Sequence, residues 1–162
     1  MKKISISLAT ADDTEALMEI YKSHRGGAAD WNEYYPNTQT IEYDLSRNAL
    51  YVMKDEAGVV FACISRDLDE EVEALEVWDK TLAPGVEFSR LAVRDDLRGQ
   101  GIGSMLFRYV LDEAKKEGYK SSHILVKTGH VVALAAYQKL GYKKVGECRL
   151  FDKDFICMEV EL

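Results

Sequence analysis

A glycine-rich turn constrains this chain of 162 residues more than any other part of its sequence. The segment RGQGIG, from Arg98 to Gly103, lies between a strand-like stretch, FSRLAV, and a helix-like one, SMLFRYVLDEAKKEG. A tight turn needs only one glycine, whereas three at alternate positions let a ligand come close to the main chain, because glycine has no Cβ. The first turn of the next helix adds unpaired N–H groups and the positive end of the helix dipole. The segment therefore predicts an anion site that suits phosphate, with Arg98 as a fixed positive charge.

Two familiar nucleotide-binding motifs do not fit this turn. A Walker A loop requires Gly-Lys-Ser/Thr after its spacer, and the chain lacks that triplet here. A dinucleotide fingerprint requires a third glycine where this chain has Leu106. It also requires an acidic residue about 20 positions later, near Ser121. The predicted phosphate therefore belongs to a different kind of ligand.

Hydrophobic periodicity predicts a mixed α/β chain that forms one domain, residues 1–162. The predicted order is β-α-α-β-β-β-α-β-α-β-β, an α+β mixed sheet with helices on both faces. Leu17, Ile20 and Tyr21 form one stripe of the first helix. The predicted strands are 3–8, 49–55, 58–66, 86–93, 121–127, 142–151 and 154–162, and the predicted helices are 10–24, 38–48, 102–117 and 131–141.

Net charge and cysteine content indicate which partners, metals and cellular compartment to expect for this protein. The net charge of −7 argues against nucleic acid or an anionic membrane as the main partner and suits a cationic substrate, although it could serve solubility alone. No apolar run is long enough to span a bilayer, and the N-terminus does not have the pattern of a secretory signal. Cys63, Cys148 and Cys157 lack metal-ligand spacing, so we expect reduced thiols, no metal and a cytoplasmic location. The acidic stretch 67–85 breaks the strand pattern and predicts a mobile excursion with at most one helical turn.

Two blocks of sequence resemble one protein family. The segment LAVRDDLRGQGIGSML is similar to the pyrophosphate-binding motif Arg/Gln-x-x-Gly-x-Gly/Ala of the GNAT acetyltransferase superfamily, with Arg98, Gly101 and Gly103 at its fixed positions. The segment ALAAYQKLGYKKVGE resembles the later helix and strand of that superfamily, in the right order and at the right separation. The segment DWNEYYPN with IEYDLSRNALYV further resembles a group of bacterial GNAT proteins, without indicating an acceptor. The resemblance covers essentially the whole chain and implies a GNAT-like fold whose central sheet splays open.

The resemblance implies acetyl-CoA as co-substrate and direct transfer of its acetyl group to a primary amine. The acceptor would be a small molecule or a peptide, of cationic character. A non-catalytic acetyl-CoA-binding or regulatory domain of the same fold is the alternative, and a homodimer is a further expectation because such relatives are often dimers. The pantetheine arm would follow the strand residues Leu91, Ala92 and Val93. The pyrophosphate would bind the main chain of Gly99, Gln100, Gly101, Ile102, Gly103 and Ser104.

Two residues are candidates for the proton transfers of such a reaction. Tyr137 matches the tyrosine that points at the CoA sulfur in the family, so it is the candidate acid, although its apolar helix also suits a core aromatic. Glu87 occupies the place of the glutamate base of some members, and its apolar neighbours Val86 and Phe88 predict a raised pKa. A solvent-facing Glu87, with ordered water in the role of the base, is the alternative.

Other aromatic and histidine residues complete the candidate site. His130 stands where the family often has asparagine, and it could contact the pantetheine arm, act as a base or cap the helix. His24 and His123 are predicted to be structural and without partners. Trp31, Tyr34 and Tyr35 could form a wall of the acceptor pocket that holds a cation, or simply pack over the first helix.

Overall fold

The computed structural model describes residues 3–162 and contains seven strands and five α-helices within that range. The strands are β1 (Ser5–Leu8), β2 (Leu50–Lys54), β3 (Val60–Asp67), β4 (Gly85–Val93), β5 (Ser121–Lys127), β6 (Lys143–Leu150) and β7 (Lys153–Glu161). The helices are α1 (Thr14–Ser23), α2 (Thr38–Ser46), α3 (Glu70–Glu73), α4 (Ile102–Lys116) and α5 (Val131–Lys139). Every predicted strand and helix is present, and α3 is the one helical turn predicted within the acidic segment 67–85.

The strands form a mixed sheet in the order β1-β2-β3-β4-β5-β7-β6. Only β4 and β5 are parallel neighbours among the pairs with a described register, and the other described pairs are antiparallel. This confirms the predicted mixed sheet. The chain divides into two compact units that share β4 and α4: unit 1 is 3–66 with Arg90–Phe107, and unit 2 is Asp67–Ser89 with Arg108–Leu162.

The core of unit 1 is built on the predicted stripe of α1. Leu17, Ile20 and Tyr21 are buried, as the period of apolar residues predicts for one helix face. They pack with apolar residues of β2 and β3, including Val52 and Cys63. Before α1, the Thr10 N–H donates to the Asp13 carboxylate, which is one half of a capping box.

In unit 2 the acidic segment 67–85 is ordered, so the prediction of a mobile excursion is wrong. Val72 of α3 is buried, and the Trp78 indole N–H donates to its carbonyl at 2.8 Å. The Asp79 N–H donates to the Glu159 carboxylate on β7 at 3.0 Å. The strand pattern was absent because a short helix and a 3-10 turn, Lys80–Leu82, fill this segment.

The parallel pairing of β4 with β5 is short. Its register joins Gly85 to Ser121, Val86 to Ser122 and Glu87 to His123. Among the described residues, no later residue of β4 is registered with a residue of β5, although both strands continue. On its other side, β5 pairs with β7 along its whole length. The two strands therefore part after Glu87, which fits the splayed sheet that the resemblance implies.

A buried ion network fixes a distortion of β4 in unit 1. Arg90 has a φ of 52°, a left-handed conformation that is uncommon for a residue with a side chain. Its guanidinium donates to both carboxylate oxygens of Asp44, at 3.0 and 3.1 Å. Asp44 is fully buried and also accepts from Arg47 and Ser65, each at 2.7 Å. Charge-assisted bonds from three side chains offset the cost of burying this carboxylate.

Replacing Asp44 with alanine should therefore destabilise the fold strongly. The substitution leaves Arg90 buried without its counter-charge, a change that costs about 3–5 kcal/mol in comparable buried pairs. Urea unfolding followed by circular dichroism measures the loss. Asp154→Ala, which breaks the exposed Arg149–Asp154 pair, is the control and should leave the free energy of unfolding nearly unchanged. Equal midpoints for the two variants would contradict a stabilising role for the network.

Candidate functional site

The glycine-rich turn has the backbone that its sequence predicts. Gly99 and Gly101 have φ values of 76° and 80°, a region that favours glycine. A Cβ built on either residue would meet no atom within 4 Å, so the dihedral angle and not crowding by the protein requires glycine there. Gly103 differs, because its φ is not positive and a Cβ would lie 3.4 Å from Leu91, where the start of α4 passes close to β4.

The turn presents main-chain donors at the N-terminus of α4. The Met105 N–H donates to the Gly101 carbonyl at 3.0 Å, so the N–H groups of Ile102, Gly103 and Ser104 precede the first hydrogen bond of the helix. With 15 residues, α4 is long enough to carry a substantial dipole whose positive end lies at this turn. Main-chain donors at a helix N-terminus, beside open space such as that at Gly101, are what an anion site requires.

Arg98 is held loosely at the edge of this cradle. Its guanidinium lies 2.7 Å from the Asp95 carboxylate, and both side chains are exposed. Water screens such a surface pair and keeps it weak. An anion in the turn could therefore compete with Asp95 for Arg98.

The last residues of β4, which precede the turn, are held by burial and by a contact with His24. Ala92 is buried, and Leu91 and Val93 are half-buried. The Val93 carbonyl lies 2.9 Å from Nε2 of His24, so the prediction that His24 lacks a partner is wrong. Burial lowers the pKa of His24, although its contact with the Val93 carbonyl opposes the shift. A neutral ring with the proton on Nε2 donates to this carbonyl.

Tyr137 lies on the face of the unit 2 sheet that carries Ser122. Its ring packs edge-on against Tyr142 with centroids 6.3 Å apart, and the Tyr142 hydroxyl is hydrogen-bonded to Ser122 on β5 at 2.7 Å. Burial raises the pKa of Tyr137 to about 12. The hydroxyl therefore keeps its proton at neutral pH and can donate it to a hydrogen bond.

Glu87 lies on the opposite face of the same sheet. It is registered with His123, which directly follows Ser122, and successive residues of a strand point to opposite faces. Only 5% of Glu87 is exposed, so the solvent-facing alternative for this residue is excluded. In unit 2 the candidate base and the candidate acid are thus separated by the sheet, and helices cover both of its faces.

His123 is part of a buried polar cluster that the sequence did not predict. Its Nε2 lies 2.7 Å from the Glu73 carboxylate of α3, so the prediction that His123 lacks a partner is wrong. The Trp78 ring covers the imidazole at a centroid distance of 4.7 Å. Glu159 on β7 is registered with His123 and is also buried. The only sequence signal was that Glu87, His123 and Glu159 each interrupt an apolar strand.

His130 precedes the first residue of α5 and is half-buried. It occupies the N-cap position of α5, and its carbonyl accepts from the Leu134 N–H at 3.1 Å, but its side chain makes no capping hydrogen bond. Burial and, to a smaller extent, the nearby positive charge of Lys127 lower the pKa of His130, so the ring is neutral at pH 7. Val131 and Val132, at the start of α5, are exposed apolar residues beside it.

The three aromatic residues of the predicted acceptor wall lie in different environments. Trp31 is buried and packs edge-on against Tyr21, with ring centroids 5.5 Å apart, which is the core packing that was the alternative. Tyr34 is 77% exposed, and Tyr35 is exposed as well. The Tyr35 hydroxyl accepts a hydrogen bond from Arg90 at 2.7 Å, a contact that the sequence did not predict.

Residues 3–162 contain neither a cluster of metal ligands nor a helix suited to a membrane. No group of three or more His, Cys, Asp or Glu side chains in that range has an arrangement that could hold a metal ion. None of the helices there combines the length and the apolar character that crossing a membrane requires.

Comparison with known proteins identifies relatives of this chain. Residues 46–144 match the acetyltransferase (GNAT) domain family. N-acetyltransferase 8B of Homo sapiens is 39% identical over 79 residues, which are 47% of this chain and 34% of the human protein. The match thus spans about a third of the length of that relative.

Solved structures share the fold at low identity. A phosphinothricin acetyltransferase of Sinorhizobium meliloti in complex with acetyl-CoA is 20% identical with a TM-score of 0.77, and the match covers 98% of this chain and 88% of that one. A ribosomal-protein-alanine N-acetyltransferase of Brucella melitensis is 23% identical with a TM-score of 0.76, covering 98% and 99% of the two chains. These similarities show the architecture of the chain.

Proposed function

The chain belongs to the GNAT acetyltransferase family, and on that premise we propose that it moves the acetyl group of acetyl-CoA directly to a primary amine of a small molecule or peptide. The observation that carries the proposal is the turn after β4, where two left-handed glycines lead into the N-terminus of α4. A phosphate-bearing donor suits this cradle of main-chain N–H groups.

The residues around the turn suit the parts of acetyl-CoA. The pyrophosphate would bind the N–H groups from Gly99 to Ser104, with Arg98 exchanging Asp95 for the ligand. The pantetheine arm would lie along Leu91–Val93 and form hydrogen bonds with the strand backbone. Neutral His130, beside the exposed apolar start of α5, would provide a further contact to the arm in place of asparagine.

The amine must lose a proton before it can attack the thioester. An alkyl ammonium has a pKa of about 10.4, so a base is needed at neutral pH. We assign this role to Glu87, because it is buried next to the place where β4 and β5 part. The main-chain N–H groups of Leu91–Val93 would stabilise the oxyanion that the attack produces.

Tyr137 would act on the departing sulfur on the other face of the sheet. Its pKa of about 12 lies well above the value of about 8.5 for an ordinary thiol, so complete transfer of its proton to a thiolate is uphill. A hydrogen bond from the protonated hydroxyl still stabilises the negative charge that develops on sulfur. We therefore assign Tyr137 chiefly the role of a hydrogen-bond donor that stabilises the negative charge on sulfur. Transfer of a proton to the thiolate would follow through that hydrogen bond.

The acceptor is proposed to be cationic. Tyr34 and Tyr35 are exposed aromatic rings that could hold an ammonium group by cation–π contact, whereas Trp31 is buried and would contribute only through packing. The net charge of −7 favours the approach of a cation. The free thiols of all three cysteines suit a reducing compartment, so we place the proposed enzyme in the cytoplasm.

A panel of amines tests the proposal. Polyamines, amino acids, aminoglycosides and peptides with a free N-terminus are each mixed with acetyl-CoA, and release of the thiol is measured. Peptides that begin with alanine belong in the panel, because the Brucella relative acts on a ribosomal protein alanine. Thiol release with one amine class supports the proposal and names the acceptor. Acetyl-CoA binding in calorimetry without turnover would instead support the regulatory-domain alternative.

Substituting Gly101 with valine should weaken acetyl-CoA binding by at least about tenfold, because a β-branched residue cannot easily hold the left-handed backbone. Gly58→Val is a matched control, since Gly58 also has a φ of 80° and open space around its Cβ position, but lies in the β2–β3 hairpin. Isothermal titration calorimetry measures both variants. Equal affinity for Gly101→Val and wild type would overturn the pyrophosphate assignment.

Replacing Tyr137 with phenylalanine should lower kcat by roughly 10²-fold, the loss typical when one donor to a developing charge is removed. The KM for acetyl-CoA should change little. Because the pKa of Tyr137 is about 12, its donor form persists throughout pH 6–10, and the shape of the rate profile there should not change. Tyr109→Phe on α4 is the control. A kcat within twofold of wild type would show that Tyr137 serves packing alone.

Replacing Glu87 with glutamine should remove the rise in rate with pH that accompanies its deprotonation. The remaining reaction depends on the small fraction of amine that is already neutral, so its rate should climb tenfold per pH unit until the amine itself titrates. Profiles from pH 6 to 9 are compared for wild type and Glu87→Gln, with Glu147→Gln, in the exposed pair with Lys144, as control. Superimposable profiles for wild type and Glu87→Gln would make Glu87 a bystander, and His130→Ala would be tested next.

A further inference from the structure

We propose that His123 and Glu73 carry to the surface the proton that Glu87 takes from the amine, an inference that rests on the proposed role of Glu87 as the base. Of the buried cluster formed by Glu73, Trp78, Glu87, His123 and Glu159, only Glu87 has a part in the acetyl transfer described above. All of these residues belong to unit 2.

A buried base needs an exit for its proton. Glu87 must return to the carboxylate form before the next amine can react, yet it is only 5% exposed. Tyr137 cannot accept the proton by direct contact, because it lies on the opposite face of the sheet. The exit therefore has to run along the face that Glu87 shares with His123.

His123 connects Glu87 to the surface. The two residues are registered partners on parallel strands, so their side chains leave the same face about one strand spacing, roughly 4.8 Å, apart. His123 is 2% exposed, and its Nε2 lies 2.7 Å from the Glu73 carboxylate. The Glu73 side chain is 33% exposed and thus reaches water.

Gly85 allows the imidazole to lie against β4. A Cβ at Gly85 would stand 3.1 Å from Nδ1 of His123 and 2.8 Å from the Ser121 hydroxyl, so a side chain here would collide with its neighbours. Gly85 is two residues before Glu87 and therefore on the same face. The Nδ1 edge of the ring faces the strand of the base, while the Nε2 edge faces Glu73. An imidazole in this orientation can accept a proton on one nitrogen and release one from the other.

The remaining groups around the His123 ring carry a negative charge or none. Glu159 on β7 is registered with it and adds a negative charge, which the Asp79 N–H helps to hold in place. The Asp79 carboxylate itself is engaged by Thr81, whose hydroxyl and N–H lower the pKa of Asp79. Trp78 covers the ring and carries no charge.

The proposed transfer moves one proton and changes no other bond. Protonated Glu87 gives its proton to Nδ1, Nε2 gives its proton to Glu73, and Glu73 releases it to water. Both glutamates end as carboxylates. The ring, which now carries its proton on Nδ1, then rotates about its Cβ–Cγ bond, so that a protonated nitrogen again faces Glu73 before the next cycle. Since Glu73 and His123 do not touch the amine, they are positioning and proton-carrying residues.

The kinetic test compares Glu73→Gln and His123→Gln with the Glu147→Gln control, using the acceptor that the amine panel identifies. Each of the first two variants should lower kcat by about tenfold or more, within the range of general acid–base effects, without raising the KM for acetyl-CoA. Added imidazole buffer should restore part of the lost rate, a response that a purely structural defect would not give. Glu73→Asp should keep most of the activity. Wild-type kcat and pH profile in both glutamine variants would overturn the proposal.

The Glu87→Gln profile separates this proposal from the proposed function. If that variant loses its pH dependence while Glu73→Gln and His123→Gln behave as wild type, the exit route is wrong and the base assignment stands. If Glu87→Gln behaves as wild type, the base assignment is wrong and the exit route falls with it.

A spectroscopic test requires no acceptor. The ring nitrogens of His123 are followed by long-range ¹H–¹⁵N NMR in wild type and in Glu87→Gln. Their resonances should shift on the substitution, while those of His24, whose contact is with Val93 in unit 1, should stay in place and serve as the internal control. Unchanged His123 resonances would overturn the proposed path even if no amine is found to react.

Discussion

The early end of the β4–β5 pairing is the constraint on which the rest of the proposed site depends. After Glu87 and His123 the register stops, although both strands continue. Backbone N–H and C=O groups that no longer pair with a neighbouring strand need other hydrogen-bond partners. An extended ligand can supply them as an added strand does. The carboxylate of Glu87 stands at the last paired position of β4, next to the part of the strand that the proposed ligand would pair with.

The two faces of the sheet in unit 2 have different chemistry. Tyr137, Tyr142 and Ser122 form an uncharged hydroxyl cluster on one face, and burial raises the pKa of both tyrosines. Glu87 and His123 belong to a cluster of carboxylates and imidazole on the other. Deprotonation of an amine and stabilisation of a thiolate place opposite demands on their surroundings. In the proposed reaction Glu87 and Tyr137 would approach the thioester from opposite faces, and the sheet would keep the carboxylates around Glu87 away from the negative charge that develops beside Tyr137.

Sequence reasoning succeeded where a local rule decides the structure. The glycine turn with Gly99 and Gly101 and the apolar stripe of α1 each follow from residue type and spacing within a few positions. The two recognisable blocks then gave the family. Local rules therefore predicted the order of the helices and strands and the position of the glycine-rich turn.

The features that were missed depend on residues far apart in the chain. His123 and Glu73 are 50 positions apart, and Arg90 reaches Asp44 across 46 positions, so no periodicity shows either pair. The left-handed conformation of Arg90 was unpredictable because its side-chain partners, not its residue type, hold it. The acidic segment 67–85 looked mobile because its anchors, Glu159 and His123, come much later in the sequence.

The division into two discontinuous units has a consequence for synthesis on the ribosome. All of the chain of unit 1 has been made once Phe107 has been added, whereas unit 2 needs residues up to Leu162. Segment 67–85 is made early, but Trp78 and Asp79 must wait for His123 on β5 and Glu159 on β7 before they have their partners. Until then a tryptophan and several apolar side chains are exposed in a nascent chain. The dense acidic charge around them, which is a cost in the buried cluster of the finished protein, disfavours aggregation during that interval.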